Sequence, residues 1–214
     1  MIISIVVDND SWILPYAETL LEWSIKQGFD ALLARSHADI QKGDCAFFLG
    51  CIKIVAPDVL DLNTHNLVVH ESELPAGRGF APMTWQILEG KNIIPVCLLE
   101  AAEGEVDSGD IFLQETIDLE GHELCQEWRD KQGKKTIALC QQFLEEYPHI
   151  RAQKQEGIAS NYSRRYPEHS ALDVDKTIAE QFDLLRVVDN ERYPAFFTYK
   201  EHRYILKIEK ATDE

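Results

Sequence analysis

Residues 66–112 of the 214-residue chain read NLVVHESELPAGRGFAPMTWQILEGKNIIPVCLLEAAEGEVDSGDIF. The apolar run 67–69 is typical of a buried strand, and it ends at His70. A loop rich in glycine and proline follows, and the stretch closes with an acidic turn at 106–110. Strand ends and the loops after them carry the chemistry of α/β proteins. The stretch therefore predicts an α/β fold with functional residues at one edge of its sheet.

His70 and Asp107 are the strongest candidates for chemistry, and 37 positions separate them in the sequence. A carboxylate can orient and charge an imidazole, so the two residues at one sheet edge would make an acid–base pair. Structural alternatives remain open for both. A histidine can simply pack at a strand end, and aspartate is common in turns with serine and glycine for local reasons.

The remaining apolar runs of the N-terminal half predict a mostly parallel, twisted, Rossmann-like sheet with flanking helices. The predicted strands are 2–7, 31–35, 45–51 and 67–69. The predicted helical segments are 14–25, 52–62 and 84–90. Two more strands, 94–101 and 111–117, flank the acidic turn, and we expect them to pair as a hairpin at the edge of the sheet.

The C-terminal half continues with one long predicted helix, 120–147, which is expected to be weakened at Gly133. A polar and aromatic arm, 151–171, follows, and its apolar residues show no regular spacing. We then expect a helix that begins at Asp173 or Asp175, a hairpin of strands 195–199 and 204–208, and a frayed tail at 210–214. The predicted division is a catalytic domain, 1–150, and a C-terminal arm with a small helix and hairpin, 151–214.

The charge of the chain limits its partners. The chain has 37 acidic and 21 basic residues, which give a formal net charge of −16. The electrostatic field of such a negative charge repels phosphate backbones and anionic membrane surfaces, so neither nucleic acid nor a membrane is an expected partner. A local basic pocket is still compatible with this charge. Arg164 and Arg165, beside Tyr162 and Tyr166, make either a solvated linker or a clamp for a charged, ring-bearing ligand.

Other site classes find little support in the sequence. The five cysteines form no CxxC pair, which favours reduced, buried thiols in a cytoplasmic protein. The N-terminal run is too short for a signal peptide, and no stretch reaches the length of a membrane span. The histidines show no metal-binding spacing, so no metal is expected. The GxGxxG fingerprint of dinucleotide sites is absent.

The central stretch resembles the N10-formyltetrahydrofolate-dependent formyltransferases. That family's first motif is asparagine, any residue, histidine, any residue, serine, followed by leucine-proline and a basic-glycine loop; here residues 68–72 and 74–79 stand in its place. The second motif, aspartate-small-glycine-acid, matches residues 107–110. The likeness covers about residues 40–118. The segment 176–197 resembles the part that follows the catalytic domain in sugar N-formyltransferases. The tRNA-modifying members instead carry a longer, basic C-terminal domain, which does not suit this short, acidic chain.

The resemblance implies formyl transfer from N10-formyltetrahydrofolate, as co-substrate, to the primary amine of an amino sugar, nucleotide-linked, in surface-polysaccharide synthesis. It implies His70 and Asp107 as catalytic residues. The implied cofactor-binding residues are Gly50, Cys51, Ile52, Lys53, Val106, Gly109 and Asp110. The implied substrate-binding residues are Ser72, Arg78, Gly79 and Arg165. A planar guanidinium such as that of Arg78 suits a phosphate or carboxylate, although a solvated charge is the alternative.

The chain departs from the family motif at Val68, which occupies the place of an asparagine that donates a hydrogen bond to the developing oxyanion. Asn66 lies two residues earlier on the same strand face, about 6–7 Å away, and cannot simply substitute. The rival hypothesis is therefore a catalytically impaired folate- or nucleotide-binding member of the same fold. A free amino sugar acid is a second alternative for the acceptor. The C-terminal hairpin also offers an edge for pairing in a homodimer.

Overall fold

A twisted sheet organises the computed structural model, which describes residues 1–102 and 104–211. The strands are β1 (Ile2–Val6), β2 (Asp30–Ala34), β3 (Gly43–Phe48), β4 (Asn63–His70), β5 (Arg78–Gly79), β6 (Ile93–Glu100), β7 (Ile111–Asp118), β8 (Asn161–Tyr162), β9 (Ala195–Tyr199) and β10 (His202–Leu206). The main sheet has the order β2-β1-β3-β4-β6-β7. Its first four strands are mutually parallel, and β6 and β7 run antiparallel to their neighbours. The predicted α/β class and the predicted edge hairpin are confirmed.

Helices cover both faces of this sheet. The α-helices are α1 (Leu14–Lys26), α2 (Pro57–Leu60), α3 (Pro82–Leu88), α4 (Cys125–Glu146) and α5 (Phe182–Val187). Short 3-10 turns lie at His37–Asp39, Pro167–Ser170 and Ala179–Gln181. Because side chains alternate along a strand, Ile3 and Ile5 join a core with Phe143 of α4, whereas Val6 and Phe48 belong to a smaller cluster. These strands are buried on both faces of the sheet, which explains why their sequences are continuous apolar runs.

Two predictions about helices were wrong. The helix predicted to be weakened at Gly133 runs without interruption, because this residue is where Tyr16 of α1 packs against α4. A Cβ atom at Gly133 would lie 2.7 Å from the Tyr16 ring. The helix predicted to begin at Asp173 or Asp175 begins at Phe182 instead, after a 3-10 turn, and Ile178, within the predicted range, is 73% exposed.

Arg186 anchors the C-terminal segment to the main domain. Its side chain is fully buried and its Nη1 atom lies 2.9 Å from Asp183 and 3.1 Å from the amide oxygen of Asn92. Its Nη2 atom lies 3.4 Å from Glu123, which also binds Lys131. A buried cation is tolerated only with such partners, so this network fixes α5 against the loop that precedes α4.

The arm that follows α4 is ordered and returns to the edge of the sheet, where β8 pairs in parallel with β5. The predicted C-terminal hairpin forms as β9 and β10, with Tyr199 opposite His202. Residues 212–214 of the tail that was expected to fray lie outside the described residues. In the described part of the chain, no helix is both long enough and apolar enough to cross a membrane.

Candidate active site

His70 is the last residue of β4 and lies buried at the edge of the sheet, 5% exposed. Its Nε2 atom lies 2.8 Å from the carbonyl oxygen of Gly77. Its Nδ1 atom lies 3.4 Å from Oδ2 of Asp107. The structure therefore brings together the two residues that the sequence singled out, and it places an oxygen acceptor opposite each ring nitrogen.

Asp107 is held in place by its own backbone and by the loop opposite. It has a φ of 56°, the left-handed region that aspartate tolerates better than most residues. Its Oδ2 atom accepts a hydrogen bond from the backbone N–H of Gly79 at 2.9 Å. The side chain is 8% exposed. The carboxylate is thus fixed between the glycine loop and His70.

The glycine loop owes its shape to the arm. The N–H of Gly77 donates to the hydroxyl of Ser160 at 2.9 Å, and a Cβ atom at Gly77 would lie 2.8 Å from the Tyr162 ring. At Gly79 a Cβ atom would lie 2.6 Å from the carbonyl oxygen of Tyr162. Both glycines also have positive φ angles. Neither position accepts a side chain without displacing β8.

Gln155, which the sequence reasoning missed, connects three parts of the site. Its amide nitrogen donates to the carbonyl oxygens of Asp107 at 2.7 Å and of Gly109 at 2.8 Å. Its amide oxygen accepts from Nη2 of Arg78 at 2.7 Å. Arg78 also forms a 2.8 Å ion pair with Glu105, and its side chain is 12% exposed. In this structure the Arg78 guanidinium is thus occupied by Glu105 and Gln155.

The acidic turn is locked against β6. A Cβ atom at Gly109 would lie 1.8 Å from the carbonyl oxygen of Glu100, so only glycine fits there. The carbonyl oxygen of Asp110 accepts from the N–H of Glu100 at 2.9 Å. Val106, at the start of the turn, is 50% exposed. The three residues predicted to bind a cofactor from this turn therefore lie on a rigid loop next to Asp107.

The other predicted cofactor segment, 50–53, is held by Asp8 at the end of β1. The Asp8 carboxylate accepts the N–H groups of Ile52 and Lys53, both at 3.0 Å. Burial alone would raise the pKa of Asp8, but the hydrogen bonds from Asn9, Ile52 and Lys53 outweigh it and lower that pKa. The segment follows β3, which is the neighbour of β1 in the sheet. The chain continues from β1 to β2 on one side and from β3 to β4 on the other, and open α/β sheets bind ligands where the strand order reverses in this way.

Asp8, His37 and Cys51 bring their ligand atoms within 4.8 Å of one another. This is the one cluster with metal-ligand potential within the described residues. The Asp8 oxygens, however, already accept backbone N–H groups. The thiol of Cys51 lies 3.4 Å from the carbonyl oxygen of Val6. The cluster therefore has a sufficient structural explanation as the anchor of segment 50–53.

Val68 offers no hydrogen bond at the position that it occupies before His70. It is half-buried and packs near Leu74, Cys97 and Leu99. Asn66 donates its amide N–H to the carbonyl oxygen of Leu60 at 2.8 Å, so it is already committed to the fold. The expectation that Asn66 cannot simply replace a donor at position 68 agrees with this contact.

Two buried polar groups lie beside His70. The hydroxyl oxygen of Ser72 is buried and has no hydrogen-bond partner among the described residues. Glu71, which the sequence reasoning did not select, is 9% exposed, and burial raises the pKa of its carboxyl group despite the opposing effect of His70. Its only sequence signal is its place next to the candidate histidine.

Arg165 lies apart from Ser72, Arg78 and Gly79, in a second part of the site. It lines a cavity of about 320 Å³ together with Gly50, Cys51 and Ile52. A larger cavity, of about 820 Å³, lies between the arm and residues 111–114 and includes Gln155, but neither His70 nor Asp107 lines it. His70 and Asp107 do not line the smaller cavity either, but four predicted site residues do, and we therefore place the candidate site there: Gly50, Cys51, Ile52 and Arg165.

The family model described as Formyl transferase matches residues 23–138, just over half of the chain. Among curated relatives, the methionyl-tRNA formyltransferase of Mycoplasma capricolum is 24% identical over 205 residues, covering 92% of this chain and 63% of that protein. That of Anaeromyxobacter dehalogenans is 40% identical over 68 residues, covering 31% of this chain and 22% of that protein. The chain thus spans less than two thirds of the length of these relatives.

Solved structures share the fold along almost the whole chain. Methionyl-tRNA formyltransferase from Clostridium thermocellum matches with a TM-score of 0.82 at 21% identity, covering 99% of this chain and 94% of that one. A 4-N formyltransferase from Francisella tularensis gives 0.71 at 18% identity, covering 99% and 98%. HypX from Aquifex aeolicus, solved in complex with tetrahydrofolic acid, gives 0.75 at 15% identity, covering 97% and 37%.

Proposed function

This chain belongs to the formyl transferase family, and on that premise we propose that it moves a formyl group from N10-formyltetrahydrofolate to the primary amine of a small molecule. The acceptor in this proposal is an amino sugar, nucleotide-linked, which serves surface-polysaccharide synthesis in the cytoplasm. The observation that carries the proposal is the contact between His70 and Asp107, with the ring nitrogen 3.4 Å from the carboxylate.

The proposed mechanism assigns one role to each member of this pair. The neutral amine attacks the formyl carbon, and negative charge develops on the formyl oxygen. In this proposal His70 donates to that oxygen from Nε2, which exchanges its 2.8 Å contact with the carbonyl oxygen of Gly77 for the oxyanion, while Nδ1 stays with Asp107. Asp107 orients and charges His70, and it helps to move the proton from the attacking nitrogen to the leaving folate nitrogen. No metal takes part in this mechanism.

The folate is proposed to bind between segment 50–53 and the turn 106–110. Both are anchored loops with exposed apolar side chains, since Ile52 is 63% and Val106 is 50% exposed. Anchored backbone offers N–H and C=O groups at fixed positions, which suits the polar edge of a pterin. The tetrahydrofolic acid complex of HypX, a protein of the same fold, supports this choice of ligand.

An amino sugar is favoured over tRNA as acceptor by the charge of the chain. The net charge of −16 opposes a polyanionic partner. The fold match does not separate the two acceptors, because the methionyl-tRNA formyltransferase structure covers 99% of this chain and 94% of its own, and the 4-N formyltransferase structure covers 99% and 98%. Residues 1–150 are proposed as the catalytic domain and 151–214 as a C-terminal part that also provides the hairpin for a homodimer.

The experiment is a transfer assay with the full-length protein, N10-formyltetrahydrofolate and a panel of nucleotide-linked and free amino sugars. Release of tetrahydrofolate and a mass gain of one formyl group on the sugar are expected together. The His70→Asn protein serves as the inactive control. Release of tetrahydrofolate without a formylated sugar would contradict the acceptor class. A formylated methionyl-tRNA in a parallel reaction would replace the sugar by tRNA.

The rival function is a folate- or nucleotide-binding member that has lost catalysis, and Val68 is the observation that favours it. Binding of tetrahydrofolate without turnover on any acceptor would support this rival. A thermal-shift screen with folates and nucleotide-amino-sugars separates the cases, because a ligand that binds the folded state raises its apparent stability even where no reaction follows.

A further inference from the structure

Four arginines converge on the cavity of about 320 Å³ at the ends of β1 and β3. They are Arg129 from α4, Arg164 and Arg165 from the arm, and Arg192 from the turn before β9. They come from parts of the sequence that are up to 63 positions apart, so no local pattern gathers them. In a chain with 16 more acidic than basic residues, such a concentration of positive charge needs an explanation.

Acidic partners do not supply that explanation. Arg129 forms a 2.7 Å ion pair with Asp189, the one acidic residue that lines the cavity. The guanidinium groups of Arg164, Arg165 and Arg192 have no carboxylate within ion-pair distance among residues 1–102 and 104–211. The cavity lining therefore keeps three positive charges without a matching negative charge.

The contacts that these arginines do make hold them in place without neutralising them. Arg165 donates to the carbonyl oxygens of Val187 at 3.1 Å and His169 at 3.3 Å, and its Nε atom is buried without a partner. Arg192 donates to the carbonyl oxygen of Asp10. Arg164 lies over the Phe80 ring, 5.8 Å from its centre. The three charges are thus positioned in advance, which lowers the entropy cost of binding an anion.

The cavity also has ring surfaces and includes Phe80, which follows the loop that holds Asp107. Trp12, Phe80 and Tyr193 line it and keep part of their surface exposed. Phe80 directly follows Gly79, whose N–H group binds Asp107. A ligand whose anionic part lies among the arginines can therefore extend toward the pair that is proposed to carry out the transfer.

We propose that this cavity binds the phosphoryl group of the acceptor, in the form of a nucleoside diphosphate moiety, through Arg164, Arg165 and Arg192. The assignment of the bound phosphate to the acceptor rests on the proposed formyl transfer. Guanidinium groups bind phosphate oxygens through charge-assisted, bidentate hydrogen bonds, and exposed aromatic rings suit a base or sugar. Gly50, Cys51 and Ile52 line the same cavity, so donor and acceptor would share a wall, as transfer between them requires.

The first test measures binding without any folate, by titration calorimetry with uridine diphosphate, inorganic pyrophosphate, uridine and glucuronate. Uridine diphosphate and pyrophosphate are expected to bind, with affinities that fall as salt is raised. The double variant Arg164→Gln/Arg192→Gln should weaken both at least about tenfold. Arg151→Gln, an exposed arginine that contacts only backbone carbonyls outside the cavity, is the matched control and should change little.

Four results would overturn the inference: no binding of either phosphorylated probe, equal affinity in the double variant, binding of uridine as tight as uridine diphosphate, or a preference for glucuronate. The second test compares formyl transfer to a nucleotide-linked and an uncharged amino sugar. Equal kcat/KM for the two would refute the phosphoryl site and leave formyl transfer standing. Arginine-dependent binding of uridine diphosphate with no transfer to any acceptor would support the phosphoryl site and refute the transferase.

Discussion

The Nδ1 atom of His70 lies 3.4 Å from the Oδ2 atom of Asp107, although 37 positions separate the two residues in the sequence. The contact depends on Gly79, whose N–H group holds the same carboxylate oxygen at 2.9 Å. The pair is therefore part of a fixed assembly and does not depend on a chance approach of two side chains.

Replacing His70 by asparagine should abolish formyl transfer while the fold is kept. Asparagine can still place an amide group near Asp107, because its side chain reaches about as far as the Nδ1 atom of histidine, but it cannot exchange a proton near neutral pH. The loss should be about 100-fold to 10,000-fold in kcat, the usual contribution of a positioned acid or base. Steady-state kinetics and thermal melting measure the two effects. His149→Asn, which changes an exposed histidine, is the control, and a His70→Asn rate near that control would remove His70 from the mechanism.

Asp107→Asn should lower kcat by about 100-fold or more with little change in thermal stability. The amide oxygen can keep the hydrogen bond from Gly79, and asparagine also tolerates the left-handed backbone, so the change removes the charge alone. Asp107→Ala should lose activity as well, and it should destabilise the turn because alanine is strained at a φ of 56°. An active Asp107→Asn protein would leave Asp107 with only its turn role.

Val68→Asn tests whether the missing amide limits turnover. A single oxyanion donor is typically worth about 100-fold to 1,000-fold in kcat, so the substitution should raise kcat if the site admits the amide. It should also cost about 1–3 kcal/mol of stability in the free protein, because the amide is buried without a partner. Val69→Asn, which places the same group on the other face of β4, should not raise kcat. A lower kcat in Val68→Asn would show that another group already fills the oxyanion site.

Arg78→Ala should raise KM for the amino substrate more than it lowers kcat if Arg78 binds substrate, because uniform binding is lost. The ion pair with Glu105 supplies the control. Glu105 is 82% exposed, so Glu105→Ala should cost no more than about 1 kcal/mol of stability and leave KM unchanged. Equal KM changes in both variants would mean that Arg78 acts only by bracing the loop.

Glu71 should make the stability of the protein depend on pH. Burial raises the pKa of its carboxyl group above the ordinary value of 4.5, so above that value the folded state retains a proton that the unfolded state has released. The contribution of Glu71 to stability is therefore complete below 4.5 and is lost as pH rises through the folded-state pKa. Glu71→Gln should remove this decline. Urea unfolding of both proteins, at pH values from below 4.5 upward, measures this decline in the free energy of unfolding.

The control for this prediction is Glu73→Gln, which changes an exposed neighbour and should leave the pH profile of the free energy of unfolding unchanged. A difference between wild type and Glu71→Gln that stays constant with pH would show that Glu71 is charged throughout, and would place a compensating cation beside it.

The sequence by itself was enough to predict the sheet, the edge hairpin and the two motif positions. The reason is local: a buried parallel strand must be apolar on both faces, so runs such as 2–7 and 45–51 predict their own burial. Glycines such as Gly79 and Gly109 likewise indicate positions where another backbone segment lies too close for a Cβ atom. The motif around His70 and Asp107 carried the family assignment, which the family model confirms.

Only the tertiary structure decided which polar residues complete the site. Gln155 and Ser160 reach the glycine loop because β8 pairs with β5. The arginines of the cavity meet because α4, the arm and the turn before β9 come together there. Arg186 could not be predicted as buried, since its burial depends on Glu123, Asp183 and Asn92 arriving from elsewhere. Polar contacts between distant segments leave no periodic pattern in the sequence, because their free energy arises only once the fold has excluded water from them.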